Sequence, residues 1–365
     1  MATPFTNLKP AYFALPIVAL VLLAVSWNAA VPTLLLFVLG GVLVATVFVA
    51  VSHAEVIALK VGEPFGSLIL AAAVTIIEVG MIVVLIIDNP DATKNLARDT
   101  VFAAIMITTG LIIGGSILIK SFRLKFATFN AEGAVPALSA LASLSILSLV
   151  LPTFTTSTPG PTFSPAQLGF AAITSLVIYV TFVAMQTVRH RDFFLPPPRA
   201  NMPPSQTAHV RAPTKKQALW SVAGLLGSLV GVVGLAKVTS PIIQGAVTGL
   251  GLPQMVVAFS IAIVVLLPES ISALKAAYYG RTQTSINLAL GSALASIGMT
   301  IPTIAVISLL FGFQVNLGLG ATEISLLFLA LFVSALTLLP GKASILQGAV
   351  HLSIFGAFVL VVFTP

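Results

Sequence analysis

The 365-residue chain is 58% hydrophobic and only 7% charged, with a formal net charge of +7 and no cysteine. A water-soluble domain carries about 25% charged residues, so that class is excluded. Without cysteine, disulfides and thiolate metal sites are excluded as well.

Apolar segments of about 20 residues recur along the whole chain, each enough to cross ~30 Å of hydrocarbon. Lipid offers no hydrogen-bond partner to the backbone, so these segments predict helices rather than open strands. Alternating ten-residue segments, the mark of a membrane barrel, are absent. The expected architecture is an all-α integral membrane protein of about eleven transmembrane helices. The expected spans are 11–28, 31–60, 65–87, 100–119, 134–151, 166–188, 217–249, 254–278, 284–311, 321–339 and 343–363.

The first span reads as a retained helix rather than a signal peptide. Lys9 is the one basic residue before it, and no small-residue cleavage pattern follows. After the fourth span come Lys120, Arg123 and Lys125. After the sixth come Arg189, Arg191, Arg199, Arg211, Lys215 and Lys216, whereas 152–165 carries no charge. Basic loops mark the cytoplasmic side, so the N-terminus is expected inside and the C-terminus periplasmic or extracellular, in a bacterial inner membrane. The same rule accounts for the basic excess without nucleic acid. Residues 189–217, rich in proline, are expected to tether two halves, 1–188 and 218–365.

Two carboxylates lie deep in apolar spans. Glu78 is in the third and Glu269 in the eighth. A charge at the bilayer centre costs ~2.5–3.5 kcal/mol even on the lenient insertion scale, and such residues usually serve protons or cations. Their surroundings repeat. Gly62-Glu63-Pro64 precedes the Glu78 span, and Gly251-Leu252-Pro253 precedes the Glu269 span. The third and eighth spans cross in opposite directions, which predicts two inverted five-helix repeats plus one extra helix. The repeats cover about 62–119 and 251–311.

Around Glu78, Thr75 and Ser67 lie near one helical face. Around Glu269, Pro268 deprives the Val264 carbonyl of its helical donor, and Ser270 and Ser272 add hydroxyls. In the ninth span Ser292, Ser296 and Thr300 fall four apart on one face beside Gly291 and Ala295, a pattern that also serves helix packing. Carboxylate, hydroxyl and freed carbonyl oxygens form the hard-ligand set that Na⁺ or Ca²⁺ takes. The candidate cation and proton residues are therefore Glu78, Glu269, Thr75, Ser270, Ser272, Ser292 and Ser296, with Glu78 and Glu269 as metal ligands. His53, Glu55 and Glu63 form a second candidate group, for cytoplasmic access or pH sensing. Lys275 is either a snorkelling lysine or a counter-charge to Glu269, and His351 reads as a packing histidine.

Pro268-Glu269, Ala273-Leu274-Lys275-Ala276, Asn287-Leu288 and Gly291-Ser292 together resemble the second α-repeat of the cation/calcium exchanger superfamily. The likeness is to its ChaA-like bacterial branch of calcium and sodium/potassium–proton antiporters. Residues 62–70, with Glu78 and Arg98-Asp99-Thr100, are similar to the first repeat. The resemblance implies that Glu78 and Glu269 are paired ion- and proton-binding carboxylates. The chain departs from the wider superfamily in having Ile77 before Glu78 and no Gly-Asn-x-x-Glu motif.

The expected function is secondary exchange of Ca²⁺, Na⁺ or K⁺ for H⁺, with no cofactor. Small inorganic cations and membrane lipid are the expected partners, and a homo-oligomer is left open. The alternatives are a sodium/calcium exchanger without proton coupling, an intramembrane enzyme and a channel. No His-Glu-x-x-His or Gly-x-Ser-x-Gly supports an enzyme, and no carbonyl-lined filter supports a channel.

Overall fold

The structure is a computed structural model that describes residues 10–29, 31–62, 65–90, 93–195 and 213–364. Its long helices are α1 Pro10–Ser26, α2 Thr33–Val61, α3 Phe65–Asp88 and α4 Leu96–Arg123. Next come α5 Ala131–Phe154, α6 Pro165–Arg189, α7 Lys215–Gly249 and α8 Met255–Tyr278. The last are α9 Thr282–Phe311, α10 Ala321–Leu338 and α11 Ile345–Phe363. Ten of these are long and apolar enough to cross a membrane, while α1 is shorter at 17 residues. The expected all-α architecture is therefore present.

Local chemistry sets the helix ends. Gly62 and Gly251 close α2 and α7 with φ of +79° and +64°, a left-handed conformation that glycine adopts without strain. These are the glycines of the two repeated Gly-x-Pro motifs; Pro64 and Glu63 lie outside the described residues. The helix α6 opens with a capping box, in which Ser164 accepts from the Gln167 N–H and the Gln167 side chain accepts from the Ser164 N–H. Two spans carry internal π-helical turns, Ile107–Ile113 in α4 and Ile146–Val150 in α5. The second immediately precedes Pro152, which has no N–H to continue the α ladder.

The chain divides into two compact units that cut across the sequence halves. One comprises residues 1–81 and 197–243, hence α1, α2 and most of α3 and α7. The other comprises 82–196 and 244–365, hence α4–α6 and α8–α11.

In the first unit, glycines on α7 make room for side chains of α1 and α2. A Cβ at Gly224 would meet the His53 ring, and one at Gly231 would lie 3.0 Å from Ala19 Cβ. In the second unit α9 is central, packing on α4, α5, α6 and α8, while α11 packs along α4. That last crossing is close: a Cβ at Gly348 would stand 2.9 Å from the Leu118 backbone nitrogen. Two short strands, β1 Ala127–Thr128 and β2 Lys342–Ala343, pair antiparallel and join the α4–α5 connection to the α10–α11 connection.

Of the expected tether 189–217, residues 196–212 lie outside the described residues. Its first part closes α6 and forms a 3₁₀ turn, Arg191–Phe194, and its last residues open α7.

Candidate ion-binding site

Glu269 lies in the middle of α8 and is only 5% exposed. The helix runs through Pro268 unbroken, so the proline removes one donor, at the Val264 carbonyl, without ending the helix. The neighbouring α9 supplies what the carboxylate needs. Its Ser292 hydroxyl donates to Glu269 Oε2. An ionised carboxylate has about four acceptor positions, and among the described residues Ser292 is the one donor hydrogen-bonded to this carboxylate. The remaining acceptor capacity suits an exchangeable partner, either a proton or a cation.

One turn beyond Ser292, Ser296 is also buried, and one further turn on Thr300 is wholly buried with no hydrogen-bond partner for its Oγ1 among the described residues. The row of three hydroxyls read from the sequence thus follows one face of α9, and its first member meets Glu269. The register of this helix is set nearby at Gly298, where a Cβ would stand 2.6 Å from Tyr179 Cβ of α6.

The other residues expected around Glu269 divide. Ser270 is buried beside it in sequence. Ser272 is exposed and is not brought to the buried side. On that stretch of α8 the buried side carries Ala273, Ala276 and Ala277, which leaves Ser272 outward. Lys275 is exposed too and makes no ion pair with Glu269, so the snorkelling reading holds over the counter-charge.

In the first unit, Glu78 is 2% exposed on α3, and Thr75 one turn earlier is equally buried. Thr75 donates back to the Ala71 carbonyl at 2.9 Å. The side chain of Ser67 lies outside what is described.

The group His53, Glu55 and Glu63 does not form as a cluster among the described residues. His53 is fully buried, and its Nε2 donates to the Tyr12 carbonyl of α1 at 3.1 Å. Glu55 is only half-buried, two residues further along α2, and Glu63 lies outside the described residues. A lone histidine in a span gives no sign of a carbonyl partner 41 positions away. His351 is a packing histidine as expected, with Nε2 and Thr337 Oγ1 3.1 Å apart.

Sequence reasoning missed several polar links in the second unit. Arg98 Nε pairs with Asp99 Oδ1 at 2.7 Å, and its Nη1 donates to the Gly318 carbonyl at 2.8 Å, tying the start of α4 to the connection before α10. Ser116 and Ser285 hydroxyls meet at 2.6 Å between α4 and α9. Gln283 accepts from the Asn130 N–H and donates to Asn287, which donates to the Phe194 carbonyl. Polar residues just inside the start of an apolar span were the available signal for the last set.

Among the described residues no three His, Asp or Glu side chains come together as a metal cluster. A cation at Glu269 would take its further ligands from hydroxyls and carbonyls, the hard-oxygen set that alkali and alkaline-earth ions accept.

A many-span helical protein with a carboxylate in mid-membrane, hydrogen-bonded by a neighbouring helix, is an ion transporter by class. The family is equally plain. The chain belongs to the sodium/calcium exchanger protein family, whose model matches residues 30–188 and 220–364. It is 44% identical over 331 residues to the y4hA protein of Sinorhizobium fredii, covering 91% of this chain and 89% of that one. It is 31% identical over 363 residues to the sodium-potassium/proton antiporter ChaA of Escherichia coli, covering 98% and 97%. Its fold is shared with native YfkE, at a TM-score of 0.73 and 15% identity over 97% of this chain and 100% of that one. It is also shared with the H⁺/Ca²⁺ exchanger CAX, at 0.70 and 15% over 99% and 90%. The chain is thus an integral membrane cation exchanger, a transporter and not an enzyme.

Proposed function

We propose that the chain is a proton-coupled antiporter for Na⁺, K⁺ or Ca²⁺, in which the buried carboxylates Glu269 and Glu78 each exchange a proton for cation charge. The observation that carries this reading is the buried Glu269 carboxylate served, among the described residues, by a single hydroxyl donor, Ser292. Desolvation penalises a bare carboxylate, and either a proton or an adjacent cation relieves the penalty. The two therefore compete, and arrival of one releases the other. Ser292, Ser296, Ser270 and Thr75 are the hydroxyl ligands in this reading; Ser272 is not among them. Likeness to a sodium-potassium/proton antiporter along nearly the whole chain supports proton coupling.

Two sequence repeats, each preceded by a Gly-x-Pro motif whose glycine has a positive φ, support equivalent roles for Glu78 and Glu269. An inner-membrane location with the α4–α5, α8–α9 and α10–α11 connections in the cytoplasm agrees with their basic character.

The test is cation-driven proton flux in proteoliposomes with Na⁺, K⁺ and Ca²⁺ in turn. Wild type moves protons against at least one imposed cation gradient, whereas Glu269→Gln and Glu78→Gln do not. Full flux in either variant would refute that carboxylate's role. Calcium uptake driven by a sodium gradient, with no proton movement, would instead establish sodium/calcium exchange.

A further inference from the structure

We propose that the basic rim of the second unit is a docking surface for anionic phospholipid headgroups of the adjoining leaflet. Three connections meet there. Arg123, at the end of α4, lies 4.2 Å from the Tyr278 ring centroid and donates to the Tyr278 carbonyl at 2.9 Å, joining the ends of α4 and α8. Pairing of β1 with β2 sets the α10–α11 connection beside the α4–α5 connection, and Lys342 Nζ stands 5.9 Å from the Phe126 ring centroid.

This brings Arg123, Lys125, Arg281 and Lys342 onto one rim, all four exposed and none in an ion pair among the described residues. No acidic residue occurs in 100–131, 270–322 or 324–365; the nearest along these connections is Glu132. The charge is thus uncompensated over three adjacent loops.

The flanking side chains choose the occupant. Phe122 (71% exposed), Leu124 (54%) and Phe126 (49%) alternate with Arg123 and Lys125, and Tyr278 and Tyr279 are exposed alongside. A soluble phosphate would satisfy the cations and leave this apolar surface in water. A phospholipid satisfies both, with its phosphate on the cations and its acyl chains against the aromatic and aliphatic groups. Each basic residue at an anionic membrane surface contributes about 1 kcal/mol, roughly a fivefold preference. The pairing of Arg123 with a ring face and a carbonyl fixes one of these cations in place instead of leaving it on a free tether.

The experiment reconstitutes the full chain in nanodiscs of equal phosphatidylcholine and phosphatidylglycerol, extracts it in mild detergent and weighs the retained lipids by mass spectrometry. Wild type is expected to retain phosphatidylglycerol preferentially. Lys125→Gln with Lys342→Gln, two side chains that hold no backbone group, lowers that enrichment by about 25-fold. Adding Arg123→Gln and Arg281→Gln returns it to the bulk ratio. The control pair Lys215→Gln with Lys216→Gln, exposed cations of the other unit, leaves it unchanged. Enrichment that survives the four substitutions, or falls equally in the control pair, overturns the proposal. So does inorganic phosphate, if it binds the lipid-free chain and the same substitutions abolish that binding, because the rim would then serve a soluble anion.

Discussion

Replacing Ser292 with alanine removes the one hydroxyl that donates to Glu269 among the described residues and little else, since the side chain is half-buried and shrinks by a single oxygen. A hydrogen bond to a charged group contributes about 1.5–3 kcal/mol, and the lower figure is apt for a donor that is not fully enclosed. The bond favours the ionised carboxylate, the form that holds a cation. Losing ~1.5 kcal/mol from that form corresponds to about a tenfold rise in the cation concentration for half-maximal exchange at fixed pH. Ser292→Thr keeps a donor and should stay within about threefold. The assay is proton flux in proteoliposomes as a function of Na⁺, K⁺ and Ca²⁺, at equal protein incorporation. Ser272→Ala is the internal control, because that hydroxyl is exposed, and it should leave the curve in place. If Ser292→Ala matches wild type, or shifts only as far as Ser272→Ala, the bond from α9 has no part in ion binding and the argument fails.

Three further outcomes follow from the same geometry. Neutralising Glu269 or Glu78 to glutamine abolishes coupled flux while leaving expression and monodispersity intact, as size-exclusion chromatography would check. Lys275→Gln leaves half-saturation within about twofold, since the lysine is exposed and unpaired with Glu269; a larger shift would restore it as a counter-charge. Gly224→Ala drives a methyl group onto the His53 imidazole and should cost about 1–3 kcal/mol of overpacking. That loss is read as a Tm drop of a few degrees in detergent. Combining it with His53→Ala removes the collision, so the double variant should be less destabilised than the two single losses added together.

The helices were legible because a membrane imposes one rule, apolar side chains over a fixed length, and the sequence obeys it throughout. The edges were less so, for a physical reason that α4 illustrates. Hydropathy ends that helix at the charges and predicts 100–119, yet it extends from Leu96 to Arg123. Arg98 and Asp99 neutralise one another, and the arginine reaches the Gly318 carbonyl, so charge inside the helix carries little penalty. The site shows the same division. Periodicity alone put Ser292, Ser296 and Thr300 on one face, and that face reaches Glu269. Periodicity also put Ser272 within one turn of Glu269, but which side of α8 is covered depends on where α9 packs, and a single helix does not encode its neighbour. The compact units mix elements from both sequence halves for the same reason, since contacts follow topology and not chain order.

Burial by itself is therefore a poor guide to which buried polar group transports. His53, His351 and Glu269 are all nearly inaccessible. His351 Nε2 is engaged by a fixed partner, the Thr337 hydroxyl, and His53 Nε2 by the Tyr12 carbonyl, although His53 Nδ1 is buried with no hydrogen-bond partner among the described residues. The Glu269 carboxylate is different, with two oxygens and about four acceptor positions against one hydroxyl donor among the described residues. It is held in place by Ser292 but not saturated by it. Removing a saturated group should lower stability and spare exchange, whereas removing an unsaturated one should abolish exchange and spare stability. Glu269→Gln and His351→Ala, measured side by side for flux and Tm, separate the two: loss of exchange without destabilisation in the second would place His351 on the ion path and break the distinction.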